Sequence, residues 1–258
     1  MMEQNKIKAT VLNSALFLDV DGTLLDIADT PDAVKVPPNL PQTLAHLSEC
    51  FKGAIALITG REIAFIDTLF PNLNLPVAGL HGAELRLEKN KIRRQQLSEN
   101  FLKAKAYLKQ AADDLMGVAF EDKNMAAALH YRNALSMQAI VKEQLEKAAQ
   151  IAGTGWAVQH GKMVAELRPA DCDKGTALLQ IMQLPAFIER KPYAFGDDLT
   201  DEQMFYAAVQ SGGAGIRIAE NTENSAAALS ISSPAILRQW LLETTQKSSN
   251  ENIFSNIF

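Results

Sequence analysis

Residues 14–25 read SALFLDVDGTLL, and this stretch decides the fold. Ala15-Leu16-Phe17-Leu18 is a short unbroken apolar run with a bulky centre, which reads as a parallel strand buried on both faces. Asp19 and Asp21 follow, one residue apart, and then Gly22 and Thr23. The carboxylates therefore stand at the carboxyl end of a strand, where open α/β sheets hold their ligands. Gly22 permits a tight departure with backbone amides turned inward. Two neighbouring carboxylates at a buried edge repel each other and are costly to desolvate. They call for a positive partner, and Mg²⁺, a hard cation that takes oxygen ligands, suits them. The competing reading is that both residues cap a turn, as Asp commonly does.

At 258 residues, 47% apolar and 21% charged, the chain has material for one large domain or two smaller ones with packed cores. Its formal net charge of -5 lacks the basic footprint that a nucleic-acid binder needs. An anionic small molecule remains open as a substrate, because the local field counts for more than the sum. Cys50 and Cys172 are too few for a disulfide scaffold and suit a reducing compartment. The opening MMEQNKIKATVLNS has no long apolar segment, and no later run could span a bilayer. The expectation is a cytoplasmic protein, monomeric, with neither membrane nor nucleic acid as partner.

Along the chain, a breaker-rich loop from Asp26 to Pro41, with Pro31, Pro37 and Pro38, leads into a helix over Gln42–Phe51. A second buried strand, Ala54–Ile58, runs into Thr59-Gly60-Arg61 and a helix over Glu62–Phe70. A third, Pro76–Gly79, leads to Leu80-His81-Gly82-Ala83-Glu84. Residues 85–98 then alternate apolar and charged positions and read as a half-exposed hairpin with Asn90 near its turn. Helices over Glu99–Met116 and Ser136–Ala152 alternate with strands Val118–Asp122, Ala126–Arg132, Trp156–Gln159 and Lys162–Arg168, an open sheet with helices on one face. The first pattern resumes with a helix opening at Asp171-Cys172-Asp173-Lys174-Gly175-Thr176 and a strand Tyr193–Phe195 ending in Gly196-Asp197-Asp198-Leu199-Thr200-Asp201-Glu202. A helix to Gln210, two short strands and a helix over Pro234–Thr245 close it. The polar tail from Gln246 is expected to lack structure, the alternative being that its Ile253, Phe254, Ile257 and Phe258 dock on a surface.

Polar chemistry thus collects at strand ends and helix starts: Asp19 with Asp21, Thr59 with Gly60, Lys174, and Asp197 with Asp198 and Asp201. In a parallel sheet these lie along one edge. Carboxylates, one ammonium and one hydroxyl make a site for a divalent cation and a phosphoryl group. Asp19 and Asp197 are the side-chain metal ligands expected, Asp21 supplies its backbone carbonyl, and Asp201 joins them directly or through water. Thr59 and Gly60 seat an anion, or Thr59 caps the helix that follows; the two roles are compatible. Arg61 either touches the phosphate or pairs with a carboxylate of the core. His81 either lines the cleft against the substrate or packs.

Uncatalysed phosphate monoester hydrolysis is so slow that enzymes supply up to on the order of 10²¹-fold. A carboxylate that attacks phosphorus splits the step in two. Asp19 fits that role, with Asp21 as the acid and then the base, Lys174 neutralising charge and Thr59 donating to a phosphoryl oxygen.

DVDGT at 19–23, TGR at 59–61, DKG at 173–175 and GDDLTDE at 196–202 match, in order, the motifs of the haloacid-dehalogenase-like phosphatase superfamily, and the chain resembles its phosphotransferase branch. That resemblance implies an α/β fold: a Rossmann-like parallel-sheet core, residues 1–84 and 170–258, with an inserted α/β cap, residues 85–169. A closer resemblance, from Ala15 to about Leu242, is to the bacterial trehalose-6-phosphate phosphatases. It rests on AGLHGAE at 78–84, EDKNMAAALHYR at 121–132, VAELRP at 164–169 and FGDDLTDE at 195–202. It implies trehalose 6-phosphate as substrate, Mg²⁺ as cofactor, and Lys123, His130, Arg132 and Glu166 on the cap as sugar or phosphate contacts. Strand alternation agrees in placing His130 and Arg132 on one face; a solvated, charged sheet face gives the same pattern. A sucrose-phosphate phosphatase, a phosphomannomutase or a non-catalytic sugar-phosphate sensor are the alternatives on the same scaffold.

Overall fold

A computed structural model describes residues 9–28, 33–89, 91–94, 97–161, 163–248 and 250–255. Pro31, Asn90 with its expected turn, Lys162, and Ile257 and Phe258 lie outside them. The chain forms two compact units, Met1–Arg93 with Asp173–Phe258, and Arg94–Cys172.

The first unit is built on an eight-stranded sheet in the order β12-β11-β10-β1-β2-β3-β4-β5. Its centre is β1 (Ser14–Leu18), buried at every residue, flanked by β10 (Lys191–Gly196) and β2 (Ile55–Ile58). Both neighbours run parallel to β1, with Leu18 opposite Phe195 on one side and Leu57 on the other. Parallel pairing continues outward through β3 (Val77–Gly79) on one flank, and β11 (Ala214–Ile218) and β12 (Leu229–Ile231) on the other. Strands covered on both faces need continuous apolar runs, and apolar–polar alternation is absent from ALFL and IALI for that reason. The coverage comes from α1 (Leu40–Cys50) packed on α7 (Pro234–Thr244), and α5 (Lys174–Ile181) packed on α6 (Glu202–Gln210). A short α2 (Ile63–Leu69) follows β2.

Two expectations change here. The alternating stretch after residue 84 is expected in the insertion, but β4 (Glu84–Glu88) pairs antiparallel with β3, and β5 (Lys91–Arg94) extends the same large sheet. Alternation reveals a half-exposed antiparallel strand and says nothing about which sheet it joins. The tail also departs from expectation. Asn252 bridges to Thr10, Ile253 N–H donates to the Ala9 carbonyl at 2.8 Å, and Ile253 and Phe254 are buried. Trp240 explains it: its indole N–H donates to the Ile253 carbonyl at 2.8 Å, and its ring stacks on Phe254 with centroids 5.3 Å apart.

The second unit is a four-stranded antiparallel sheet, β6-β7-β9-β8, made of β6 (Ala119–Asp122), β7 (Ala127–His130), β9 (Val164–Pro169) and β8 (Trp156–Gly161). Helices α3 (Glu99–Asp113) and α4 (Gln138–Ala152) cover one face. Phe101, Leu108, Leu129, Val141, Leu145 and Leu167 form its separate apolar core. Ser98 caps α3, its hydroxyl accepting the Phe101 amide at 3.1 Å. Among the described residues no helix is long and apolar enough to cross a membrane.

Candidate active site

Strands β1 and β10 are neighbours, yet the chain continues from β1 towards β2 and β3, and from β10 towards β11 and β12. Their carboxyl ends therefore flank a topological switch point, the crevice where open α/β sheets bind ligands. Asp19 and Asp197 are the first residues past those two ends. Asp19, Asp197 and Asp201 each bring a carboxylate oxygen to within 4.8 Å of the others'. An all-oxygen acidic group of this kind suits a hard cation.

Lys174 is the counter-charge. It opens α5, the positive end of a helix dipole, and is buried to 3% exposure. Both circumstances oppose an ammonium, and two carboxylates compensate: Nζ donates to Asp19 Oδ1 at 2.7 Å and to Asp201 Oδ1 at 2.6 Å. Burial works against the charge of Lys174, but Asp19 and Asp201 outweigh it and hold its ammonium well above the ordinary lysine range. Asp173 caps the same helix through the Thr176 amide at 2.8 Å, which fixes where Lys174 begins.

The remaining negative charge is not fully balanced. Burial, then Asp201 and Asp198, push the Asp197 carboxyl up to about 7. Burial also raises Asp19 well above the usual carboxylate range, with Asp201 and Asp197 adding to it and Lys174 opposing. A cation among these oxygens would relieve that repulsion. Asp198 is exposed and goes the other way: its desolvation is outweighed by Thr200, Lys174 and His81, which hold its carboxyl below the ordinary range. Asp198 accepts from the Thr200 amide and hydroxyl at 2.7 and 2.6 Å, so it serves the turn.

Asp201, expected among the metal ligands, stands in the acidic group and also holds its neighbours. Besides Lys174 on Oδ1, its Oδ2 accepts the amides of Asp197 and Asp198 at 3.0 and 3.1 Å. It is fully buried and shapes the loop that presents Asp197. Gly22 makes room for the same residue. Its φ is +75°, and a Cβ there would lie 2.2 Å from Asp197 Oδ2. The adjacent Thr23 hydroxyl donates to Asp197 Oδ1 at 3.2 Å.

The carboxylate of Asp21 is not in the acidic group. Arg61 clamps it with two hydrogen bonds, Nε to Oδ2 at 2.5 Å and Nη2 to Oδ1 at 2.6 Å, while the guanidinium lies over the Phe65 ring at 4.4 Å. Of the two readings of Arg61, pairing with a core carboxylate is the one found. Thr59 is buried to 1%, and its Oγ1 accepts the Arg61 amide at 3.2 Å, which leaves its own O–H to donate. Thr59 does not cap α2. That helix begins at Ile63, whose amide donates to Glu84 Oε2 at 2.9 Å, so the helix start is occupied by a carboxylate from β4. Glu84 is the positioning carboxylate that sequence reasoning missed, and it acts across 21 residues, beyond any local capping signature.

In the second unit, Lys123 donates to Glu166 at 2.8 Å and lies 3.9 Å from Glu121, which meets His130 Nε2 at 2.7 Å. His130 holds the Glu121 carboxyl below its ordinary range. Register explains the grouping, since Glu121 and Glu166 both stand opposite Ala128 on the sheet face away from Leu129 and Leu167. Arg132 is exposed and lies past the end of β7, so strand alternation does not place it with His130.

A family model described as Trehalose-phosphatase matches residues 17–234. A probable trehalose-phosphate phosphatase from Sinorhizobium fredii (strain NBRC 101917 / NGR234) is 47% identical over 226 residues, 88% of this chain and 85% of that protein. The trehalose-6-phosphate phosphatase of Escherichia coli (strain K12) is 38% identical over 208 residues, 79% of this chain and 77% of that one. Among solved structures, a trehalose-6-phosphate phosphatase related protein superposes with a TM-score of 0.72 at 26% identity, covering 90% of this chain and 97% of that chain.

Proposed function

The chain belongs to the trehalose-phosphatase family, and from that premise we propose that it hydrolyses trehalose 6-phosphate to trehalose and inorganic phosphate, with Asp19 as the nucleophile. The observation that carries this reading is Asp19 itself: a buried carboxylate at the switch point, held at Oδ1 by Lys174 and grouped with Asp197.

An oxygen of Asp19 attacks phosphorus, the bond from phosphorus to the sugar oxygen breaks, and the phosphoryl group passes to the carboxylate. Asp21, protonated for this half, gives its proton to the departing sugar oxygen. A water then attacks the aspartyl phosphate, Asp21 takes its proton, the bond to Asp19 breaks and phosphate leaves. The Arg61 clamp uses one lone pair on each Asp21 oxygen and leaves the others for that proton. The Thr59 hydroxyl and the Gly60 amide donate to phosphoryl oxygens, and Lys174 offsets their charge. Asp19 and Asp197 would hold Mg²⁺, with the Asp21 carbonyl joining them. When bound, the ion neutralises phosphoryl charge and fixes the group's orientation. Lys123, His130 and Glu166, with Arg132 beyond them, recognise sugar hydroxyls or phosphate. Paired polar groups discriminate well because a wrong sugar leaves them unsatisfied.

The test is phosphate release from trehalose 6-phosphate against glucose 6-phosphate and sucrose 6-phosphate, with and without EDTA. Preference for trehalose 6-phosphate, abolished by EDTA and restored by Mg²⁺, is expected. Equal rates on all three would remove the substrate assignment. Binding with no phosphate released in Mg²⁺ would remove the hydrolase.

A further inference from the structure

Three consecutive residues, Leu80, His81 and Gly82, have φ of 49°, 55° and 104°. Left-handed backbone is unfavourable for any residue with a Cβ, and Leu has no polar group to ease it. Such conformations persist where surroundings impose them, most often beside functional groups. The surroundings here are the anion seat. The Leu80 amide donates to the Arg61 carbonyl and the His81 amide to the Thr59 carbonyl, both at 3.0 Å. The backbone on either side of Gly60 is thereby gripped by this one turn.

The imidazole completes the grip. A Cβ on Gly60 would lie 2.8 Å from both Cε1 and Nε2 of His81, so the ring fills the space that a side chain at position 60 would need. On its other flank the turn rests on α5. A Cβ on Gly82 would lie 3.2 Å from the Ala177 Cβ and 3.3 Å from the Asp173 carbonyl, the first turn of the helix that Lys174 opens. The strained segment is therefore wedged between the backbone carrying Thr59 and the backbone carrying Lys174.

We propose that His81 is a positioning residue for phosphoryl transfer: its ring, laid over Gly60, and its left-handed backbone hold the Thr59 hydroxyl, the Gly60 amide and the Arg61 clamp in fixed register with Lys174. The proposal rests on the phosphatase reading of the Asp19 site. It concerns the phosphoryl group alone, so His81 governs turnover of every monoester the site accepts and leaves sugar recognition untouched. Misplacing a seat by about 1 Å can cost on the order of 10²-fold in rate.

His81→Asn separates this from a purely structural role. Asn tolerates left-handed backbone and keeps the backbone amide, but removes the ring. Expected are an unchanged melting temperature, kcat lowered by about 10–10²-fold on both trehalose 6-phosphate and p-nitrophenyl phosphate, KM within about threefold, and weaker binding of orthovanadate, a mimic of the transferring phosphoryl group. His81→Ala is expected to lose more, because Ala also disfavours the backbone. A kcat within about twofold of the parent in His81→Asn overturns the proposal, as does a rise in KM alone with vanadate affinity intact, which would place the ring on the sugar. Failure of both variants to fold would assign the residue to the fold and overturn it equally. If the parent protein releases no phosphate from trehalose 6-phosphate, the function reading fails by itself. The vanadate measurement involves no sugar and still decides the role of His81.

Discussion

Lys174 stands where a lysine is least welcome, buried and at the amino end of a helix, and its pairing with Asp19 and Asp201 makes the position tenable. Lys174→Met strips the counter-charge from two buried carboxylates. Breaking a buried pair from one side costs about 3–5 kcal/mol, so denaturant unfolding should show a large loss along with loss of turnover. Asp19→Asn is expected to keep the fold and abolish turnover; a rate above about a tenth of the parent's would take the nucleophile role from Asp19. Asp197 sets a pH dependence. Its carboxyl lies at about 7 in the folded chain against an ordinary 3.8. The stability it contributes without metal is complete below the ordinary value and is lost as pH rises through about 7. A cation that binds the ionised carboxylate has the opposite preference. Mg²⁺ should therefore raise the melting temperature more at about pH 8 than at about pH 6, and equal shifts at both would disconnect Asp197 from the ion.

The central strands are legible because burial on both faces leaves a simple record: ALFL and IALI are apolar throughout, and each is followed at once by polar residues. The helices are legible from their apolar stripes, while the caps Ser98, Asp173 and Ser233 emerge in the structure. Connections across long separations are not legible. The strand β4 is visible as a strand, but its partner β3 is not. Glu84 reaches back to Ile63, and Asp201 collects three donors, through folding alone. The sequence leaves Arg61 a choice between phosphate and a core carboxylate, and only the folded chain pairs it with Asp21. Composition alone conceals the docking of the C-terminal segment, since two apolar residues among polar ones suffice when an indole receives them. Phe254 touches both Trp240 and Tyr193. Phe254→Ala should cost about 3–5 kcal/mol in denaturant unfolding, the usual range for a buried Phe, while leaving KM unchanged; a loss under about 1 kcal/mol would mean the segment contributes little.

As a whole, the molecule divides its labour between two apolar cores, one beneath the parallel sheet with its acidic group and one beneath the antiparallel sheet with Lys123, His130 and Glu166. The chain has two tryptophans, and the cores share them evenly. Trp240 stacks on Phe254 in the first, and Trp156 stacks on Phe101 in the second. Each unit thereby carries its own intrinsic fluorophore. Trp156→Phe leaves emission from the first unit alone, and Trp240→Phe leaves emission from the second, so melting can be followed one half at a time without any label. Mg²⁺ is expected to delay the transition seen by Trp240 and leave that of Trp156 where it was.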